Sequence, residues 1–175
     1  MTLAKFVLAL LAAVGLVGCA TTDVADYRAE RPVLDLAQYF NGTIDGWGMF
    51  QNSSGRVVKR FYVRIDATWS GNEGRLDEHF EFADGERQNR VWTLVKSGDS
   101  YTGTAADVVG EARGAAAGNA LRWKYVLALP VDGRVWHMDM DDWMYLVDER
   151  TLLNRTTMSK FGVPLGEVTL SFRKR

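Results

Sequence analysis

The sequence predicts an all-β protein, a single antiparallel barrel of about 8–10 strands with one or two short helices. From Thr43 onward, apolar and polar residues alternate with a period of two, as in strands that bury one face. Residues that favour hairpin turns separate the runs, at Ser54-Gly55, Asp84-Gly85, Ser97-Gly98-Asp99 and Asp132-Gly133. A closed barrel leaves no exposed strand edge, and an open sandwich is the alternative.

Each alternating run assigns one face to the core. The residues predicted to face inward are Phe61, Val63 and Ile65; Leu76, Glu78, Phe80 and Phe82; Trp123, Tyr125, Leu127 and Leu129; Trp136, Met138 and Met140; and Val168, Leu170 and Phe172. Because the intervening turns are short, consecutive strands are expected to be antiparallel neighbours.

Only two segments indicate helix. Leu34–Phe40 is expected to form a short helix that stops at Gly42, since glycine commonly ends helices. Residues Glu111–Ala117 are expected to form another turn or two, weakened by Gly114.

Residues 1–18 have the layout of a secretory signal peptide. Lys5 provides a cationic start, Phe6–Val17 is apolar, and the small residue Gly18 precedes the expected cut. An apolar run of about 12 residues is too short to span a bilayer as an ordinary helix. We expect a tether over residues 19–32, because Thr21–Arg31 is polar and lacks an apolar period, and a barrel domain over residues 33–175.

The segment Leu16-Val17-Gly18-Cys19 closely resembles the bacterial lipobox. The resemblance implies cleavage before Cys19, a diacylglycerol on its sulfur and a third acyl chain on the new amine, and two or more chains anchor stably. Ala20, in place of Asp after the cysteine, resembles the enterobacterial sorting pattern that implies the outer membrane. We therefore expect a lipoprotein of the cell envelope, held in the inner leaflet of the outer membrane and facing the periplasm; an uncleaved N-terminal helix with an incidental cysteine is the alternative.

The charge balance and the cysteine content limit which partners and which stabilising bonds the protein is expected to have. The chain has 21 Lys and Arg against 22 Asp and Glu, and removing residues 1–18 takes away only Lys5, which leaves 20 against 22 and a net charge of −2. This balance offers no electrostatic case for nucleic acid. Because Cys19 is the single cysteine, the mature domain is expected to have no disulfide and no thiolate metal site.

The expected ligand is a small apolar or amphipathic molecule, such as a lipid or fatty-acid derivative, because barrel mouths are common ligand sites. The candidate lining residues are mainly aromatic: Trp47, Phe61, Glu78, Phe80, Trp92, Trp123, Tyr125 and Trp136. The expected partners are thus the membrane, through the lipid anchor, and a lipid-like molecule. The sequence identifies no protein partner.

Glu78 is the unusual member of this set, because it shares a face with Leu76 and Phe80. A buried carboxylate must be paired, hydrogen-bonded or protonated. Arg90 and Arg155 are the candidate partners, and use of Glu78 in ligand binding or catalysis is the alternative. The sequence thus leaves two further functions open: a lipid-modifying enzyme that uses buried carboxylates, and an envelope interaction protein that binds no ligand.

Two other polar groups have competing interpretations. His137, Asp139 and Asp141 share one strand face and could form a metal or acid–base site, but the opposite face is apolar, which favours a solvated surface. Asp107 either lines the interior or caps a turn. We predict no metal site, and no nucleophile elbow or Walker lysine is present.

Several motifs spread over the mature chain resemble one known family. They are Gly46-Trp-Gly48; Asp84-Gly-Glu86 with Arg90-Val-Trp92; Tyr101-x-Gly-x-Ala-x-Asp-Val-Val-Gly110; Gly118-Asn-Ala-Leu121 with Trp123 and Tyr125; Asp141-Asp-Trp-Met-Tyr145; and Asn154-Arg155 with Met158-x-Lys-Phe-Gly162. The chain is similar in these motifs to the proteobacterial lipoproteins of domain of unknown function 3833. The resemblance implies a lipocalin-like, lipid-anchored domain and no established activity.

The opening run Phe40–Gly48 also resembles the start of lipocalin-like barrels, including the nitrobindin branch, which binds haem through a histidine near the C-terminus. The last predicted strand, Gly166–Phe172, contains no histidine. We therefore expect no haem and no other cofactor.

Overall fold

A computed structural model of the protein describes residues 21–175 as a closed ten-stranded antiparallel barrel, which confirms the predicted fold class. The strands are β1 (Gly42–Asn52), β2 (Val57–Ser70), β3 (Glu73–Phe82), β4 (Arg87–Ser97), β5 (Ser100–Thr104), β6 (Ala112–Ala117), β7 (Ala120–Val131), β8 (Arg134–Leu146), β9 (Thr151–Lys160) and β10 (Val163–Lys174). The predicted signal peptide, residues 1–18, and the predicted lipidation site, Cys19, lie outside the described residues.

The barrel closes by pairing its first and last strands. Gly46 of β1 lies opposite Phe172 of β10, and every other strand pairs with its neighbours in sequence. The sandwich alternative is therefore wrong. The predicted hairpin glycines have positive φ, with values of 80° at Gly55, 89° at Gly85 and 74° at Gly133, which a residue without a Cβ adopts at low cost.

Helix α1 (Leu36–Tyr39) lies at one end of the barrel, which we call the closed end. Asp35 caps it by accepting a hydrogen bond from Ala37 N at 2.9 Å. The ring of Phe40, just after the helix, packs edge-on against Phe172 with centroids 5.6 Å apart. The helix predicted over Leu34–Phe40 is thus confirmed.

The opposite end of the barrel, which we call the mouth, is formed by four hairpins and a loop. The hairpins join β1 to β2, β3 to β4, β7 to β8 and β9 to β10, and the loop of residues 105–111 joins β5 to β6. The distance of an inward-pointing side chain from the mouth is therefore set by its position along its strand.

The helix predicted over Glu111–Ala117 is wrong, because residues Ala112–Ala117 form strand β6. Its small side chains allow close packing: a Cβ on Gly114 would lie 2.4 Å from Arg122 O. Pairing with β5 and β7 outweighs the helix preference of a sequence rich in alanine.

Residues 21–31, which belong to the predicted tether, contact the barrel. A 3-10 helix, Val24–Tyr27, begins at Asp23 and lies against β6 and β7. The Tyr27 ring packs 5.4 Å from Tyr145 and 6.0 Å from Trp143. We call residues 21–31 the strap. In the part of the chain with described structure, neither helix is long and apolar enough to span a membrane.

Candidate functional site

The barrel interior contains a cavity of about 230 Å³. Typical ligand pockets measure roughly 300–1,000 Å³, so the space suits a small molecule or one chain of a larger one. Six of the eight predicted lining residues surround it: Phe61, Glu78, Phe80, Trp92, Trp123 and Tyr125.

The other two predicted lining residues, Trp47 and Trp136, lie outside the cavity. Trp47 is 54% exposed because the inward positions beside it are glycines: a Cβ on Gly48 would lie 2.4 Å from the Phe61 ring. Trp136 is 41% exposed although its phase is inward. Strand β9 pairs with β8 only from Asp139 onward, so Trp136 stands beyond the barrel wall.

Polar side chains cross the middle of the cavity in one layer, which we call the polar band. Its members all line the cavity: Glu78, Arg90, Tyr125, Asp142, Asn154 and Thr156. Strand register brings them level, because Glu78 lies opposite Arg90 and Asp142 lies opposite Thr156. Apolar side chains line the cavity on both sides of the band.

Glu78 lies beside Arg90, one of its two predicted partners, with 3.7 Å between Arg90 Nη1 and Glu78 Oε2. That distance exceeds a hydrogen bond, and the buried Oε2 has no hydrogen-bond partner among the described residues. Burial raises the pKa of Glu78 to about 7, although Arg90 opposes the shift. The other predicted partner, Arg155, pairs instead with Glu167 at 2.6 Å on the barrel surface.

Arg90 is held mainly by Asp107, which reaches inward from the mouth loop of residues 105–111. Arg90 Nε donates to Asp107 Oδ1 at 3.1 Å and to Oδ2 at 2.9 Å, and Nη2 lies 2.7 Å from Oδ2. Asp107 does not itself line the cavity, and its side chain is 37% exposed, but it binds the arginine that does.

Sequence reasoning missed Asp142, although a signal for it was present. The inward phase of Met138 and Met140 continues at position 142, and Asp142 is 7% exposed. Burial raises its pKa to about 6, while hydrogen bonds from Thr156 and Asn154 lower it. A second buried carboxylate thus faces the same cavity as Glu78.

Aromatic rings form much of the wall around the polar band. The Trp92 ring lies 5.8 Å from Trp123 and 5.4 Å from Tyr125, both edge-on. Burial raises the pKa of Tyr125, so its hydroxyl stays protonated at neutral pH. The two indoles can therefore report on what occupies the cavity.

His137, Asp139 and Asp141 point away from the cavity, as the solvated-surface interpretation predicts. Asp141 pairs with Arg122, whose Nε donates to Oδ1 at 2.8 Å. Within residues 21–175, no group of three or more His, Cys, Asp or Glu side chains is placed to hold a metal ion.

The mouth carries many exposed apolar side chains. They are Val57, Val58, Val109, Val131, Val135, Trp136, Phe161, Val163 and Leu165. Phe161, at the tip of the β9–β10 hairpin, is 88% exposed. Contiguous exposed apolar surface is typical of sites that bind a protein, a membrane or a ligand.

Solved structures share this fold at low sequence identity. An S-type phycobiliprotein lyase from Guillardia theta matches with a TM-score of 0.61 at 8% identity, over 88% of this chain and 99% of the lyase. A protein of unknown function from the DUF3598 family of Nostoc punctiforme matches with a TM-score of 0.59 at 12% identity, over 89% of this chain. This chain spans 53% of the Nostoc protein. These likenesses show the lipocalin-like fold alone.

No curated protein matches the chain. A family profile does: the profile described as protein of unknown function DUF3833 covers residues 13–174, nearly the whole sequence. The chain belongs to the DUF3833 family.

Proposed function

We propose that the barrel binds a small amphipathic, lipid-like molecule, with its polar group at the polar band and its apolar part toward the mouth. The supporting observation is an internal cavity of about 230 Å³ whose apolar walls are crossed by buried ionisable groups. A solid core needs no such groups, since burying an ionisable side chain costs free energy. The cavity also argues against a non-binding interaction protein, which would fill its interior.

We further propose that the protein is a lipoprotein of the outer membrane facing the periplasm, anchored through Cys19. The lipobox-like segment Leu16–Cys19 supports this proposal. In cells fed an alkyne fatty acid, the wild type should be labelled and membrane-bound, while Cys19→Ser should lose the label. Label that persists on Cys19→Ser would contradict the anchor.

Native mass spectrometry of protein purified from its own host, followed by lipid extraction, tests the ligand. Wild type should carry a bound molecule in one-to-one ratio. Leu170→Phe adds volume in the cavity wall and should reduce occupancy. Leu153→Phe is the matched control, because Leu153 is 46% exposed on the adjacent strand β9. Equal occupancy in both variants would place the ligand outside the barrel.

A lipid-modifying enzyme is the second candidate, favoured by two carboxyl groups with raised pKa values at one cavity, about 7 at Glu78 and about 6 at Asp142. Groups poised near neutrality suit general acid–base chemistry. An enzyme would chemically change lipid extracted from its host, and Glu78→Gln would stop that change. A carrier would return the lipid unaltered.

A further inference from the structure

The charges around the cavity are unequal. Arg90 is the only basic side chain that lines the cavity in the described part of the chain. Three carboxyl groups lie close enough to interact electrostatically in and beside the cavity: Glu78, Asp107 and Asp142. The polar band therefore contains more hydrogen-bond acceptors and negative charge than positive charge.

The guanidinium of Arg90 is already paired with a carboxylate of the protein. Asp107 accepts from Arg90 Nε and lies 2.7 Å from Nη2. This two-pronged contact is the strongest arrangement that an arginine makes with a carboxylate. A carboxylate or phosphate entering the cavity would have to displace Asp107, and it would also meet Glu78 and Asp142.

Glu78, in contrast, has a carboxylate oxygen that can accept a further hydrogen bond. Its side chain lines the cavity and is 12% exposed. Its Oε2 lacks a hydrogen-bond partner in residues 21–175. The nearest cation, Arg90 Nη1, stands 3.7 Å away. A buried acceptor without a donor is costly, so a ligand that supplies a donor there gains that free energy.

We propose that the polar band selects an amphiphile whose polar group is an ammonium, which donates to Glu78 and offsets the excess of carboxylates. The proposal rests on the proposed function and names its ligand class. It separates long-chain amines from fatty acids and lipid phosphates, because Arg90, which an anionic group would need, is already paired with Asp107.

Three probes of equal chain length test the choice: hexylamine, hexanoate and hexanol. At about pH 8, Glu78 is ionised and the amine is protonated. The mature full-length protein in a nonionic detergent is titrated with each probe while indole fluorescence, to which the cavity-lining Trp92 and Trp123 contribute, is followed. Native mass spectrometry counts the bound molecules. We expect hexylamine to bind roughly tenfold or more tightly than hexanoate, with hexanol between them.

Glu78→Gln should weaken hexylamine binding about tenfold and leave hexanol binding within roughly twofold, which also shows that the cavity is intact. Glu81→Gln is the matched control, since Glu81 is exposed on the same strand. Hexanoate binding as tightly as hexylamine would overturn the ammonium assignment and leave the small-ligand function standing. If Glu78→Gln left hexylamine binding unchanged, the role of Glu78 would be overturned. Failure of all three probes to bind would overturn the proposed function as well.

Discussion

The closed end and the mouth of this barrel are built from the same ten strands but bury their side chains very differently. Toward the closed end, Ile44, Leu121 and Leu152 have no exposed surface and pack beneath helix α1. At the mouth, Phe161 is 88% exposed and Trp136 is 41% exposed. The cavity and the polar band lie between the two regions.

The difference shows how one alternating pattern can serve two purposes. Where a helix covers the strand ends, inward side chains meet one another and form the core. Where strands run past their neighbours, as β8 runs past β9, inward side chains meet solvent or a ligand. We therefore expect stability to reside mainly in the closed end and binding in the mouth half.

The largest expected effect comes from shortening a closed-end leucine. Leu152→Ala removes a side chain with no exposed surface. It should lower the free energy of unfolding by about 2–5 kcal/mol, because it loses buried apolar surface and leaves a cavity. Chemical denaturation monitored by circular dichroism gives the value.

Leu165→Ala is the matched substitution at the mouth, where Leu165 is 37% exposed. Its cost should be within about 1 kcal/mol. Similar losses for the two variants would contradict the division into a closed half that supplies stability and a mouth half that does not.

The next largest effect is a pH dependence of the free energy of unfolding that comes from Glu78 in the polar band. The pKa of Glu78 is raised from 4.5 to about 7 in the folded protein. A carboxyl group with a raised folded pKa stabilises the fold below its unfolded pKa, and that contribution is lost as pH rises through the folded pKa. Between about pH 4.5 and 7, wild type should lose on the order of 3 kcal/mol relative to Glu78→Gln.

Parallel unfolding curves of the two proteins at several pH values measure this change. Asp142 is present in both proteins, so its own pH dependence largely cancels in the difference. A difference that stays constant from pH 4.5 to 8 would show that Glu78 titrates normally.

Docking of the strap at the closed end gives a smaller effect. Gly118 has φ +54°, and an added Cβ would lie 1.7 Å from Tyr27 O. Gly118→Ala should cost about 2–3 kcal/mol, from left-handed backbone strain and displacement of the strap. Trypsin should then cut faster after Arg28, which lies in the strap.

Gly110→Ala separates these two causes. Gly110 has φ +73° in the mouth loop, but nothing lies within 4 Å of its added Cβ. It should show only the backbone strain, about 1–2 kcal/mol, with no change in cleavage of the strap. Equal cleavage rates in both variants would show that Gly118 does not hold the strap.

The strands, hairpins and buried Glu78 could be predicted because they depend on local alternation and turn chemistry. The predictions were wrong where contacts between residues far apart in the sequence determine the structure. Gly46 and Gly48 make room for inward rings from other strands, which turns Trp47 outward, and strand pairing outweighs the helix preference of Ala112–Ala117. Neither effect has a local signature.

The site was predictable in part for the same reason. Five of the lining residues follow from strand phase, while Trp92 was a candidate only as an aromatic side chain. The level of each residue inside the barrel depends on the register between strands. Asp142 was predictable from the inward phase of Met138 and Met140, but that phase was not extended to position 142. Asp107 reaches Arg90 from a loop, where no period applies.

The smallest expected effect comes from the most exposed aromatic side chain. Phe161→Ala removes a ring that is 88% exposed at a mouth hairpin tip, so the free energy of unfolding should change by no more than about 0.5 kcal/mol. The same substitution at Phe172, which is 6% exposed and packs against Phe40, should cost about 3–5 kcal/mol. Urea unfolding of both variants gives the two losses in free energy of unfolding. A Phe161→Ala cost that approaches that of Phe172→Ala would mean that the mouth hairpins contribute to the core, and the contrast between the two ends would then fail.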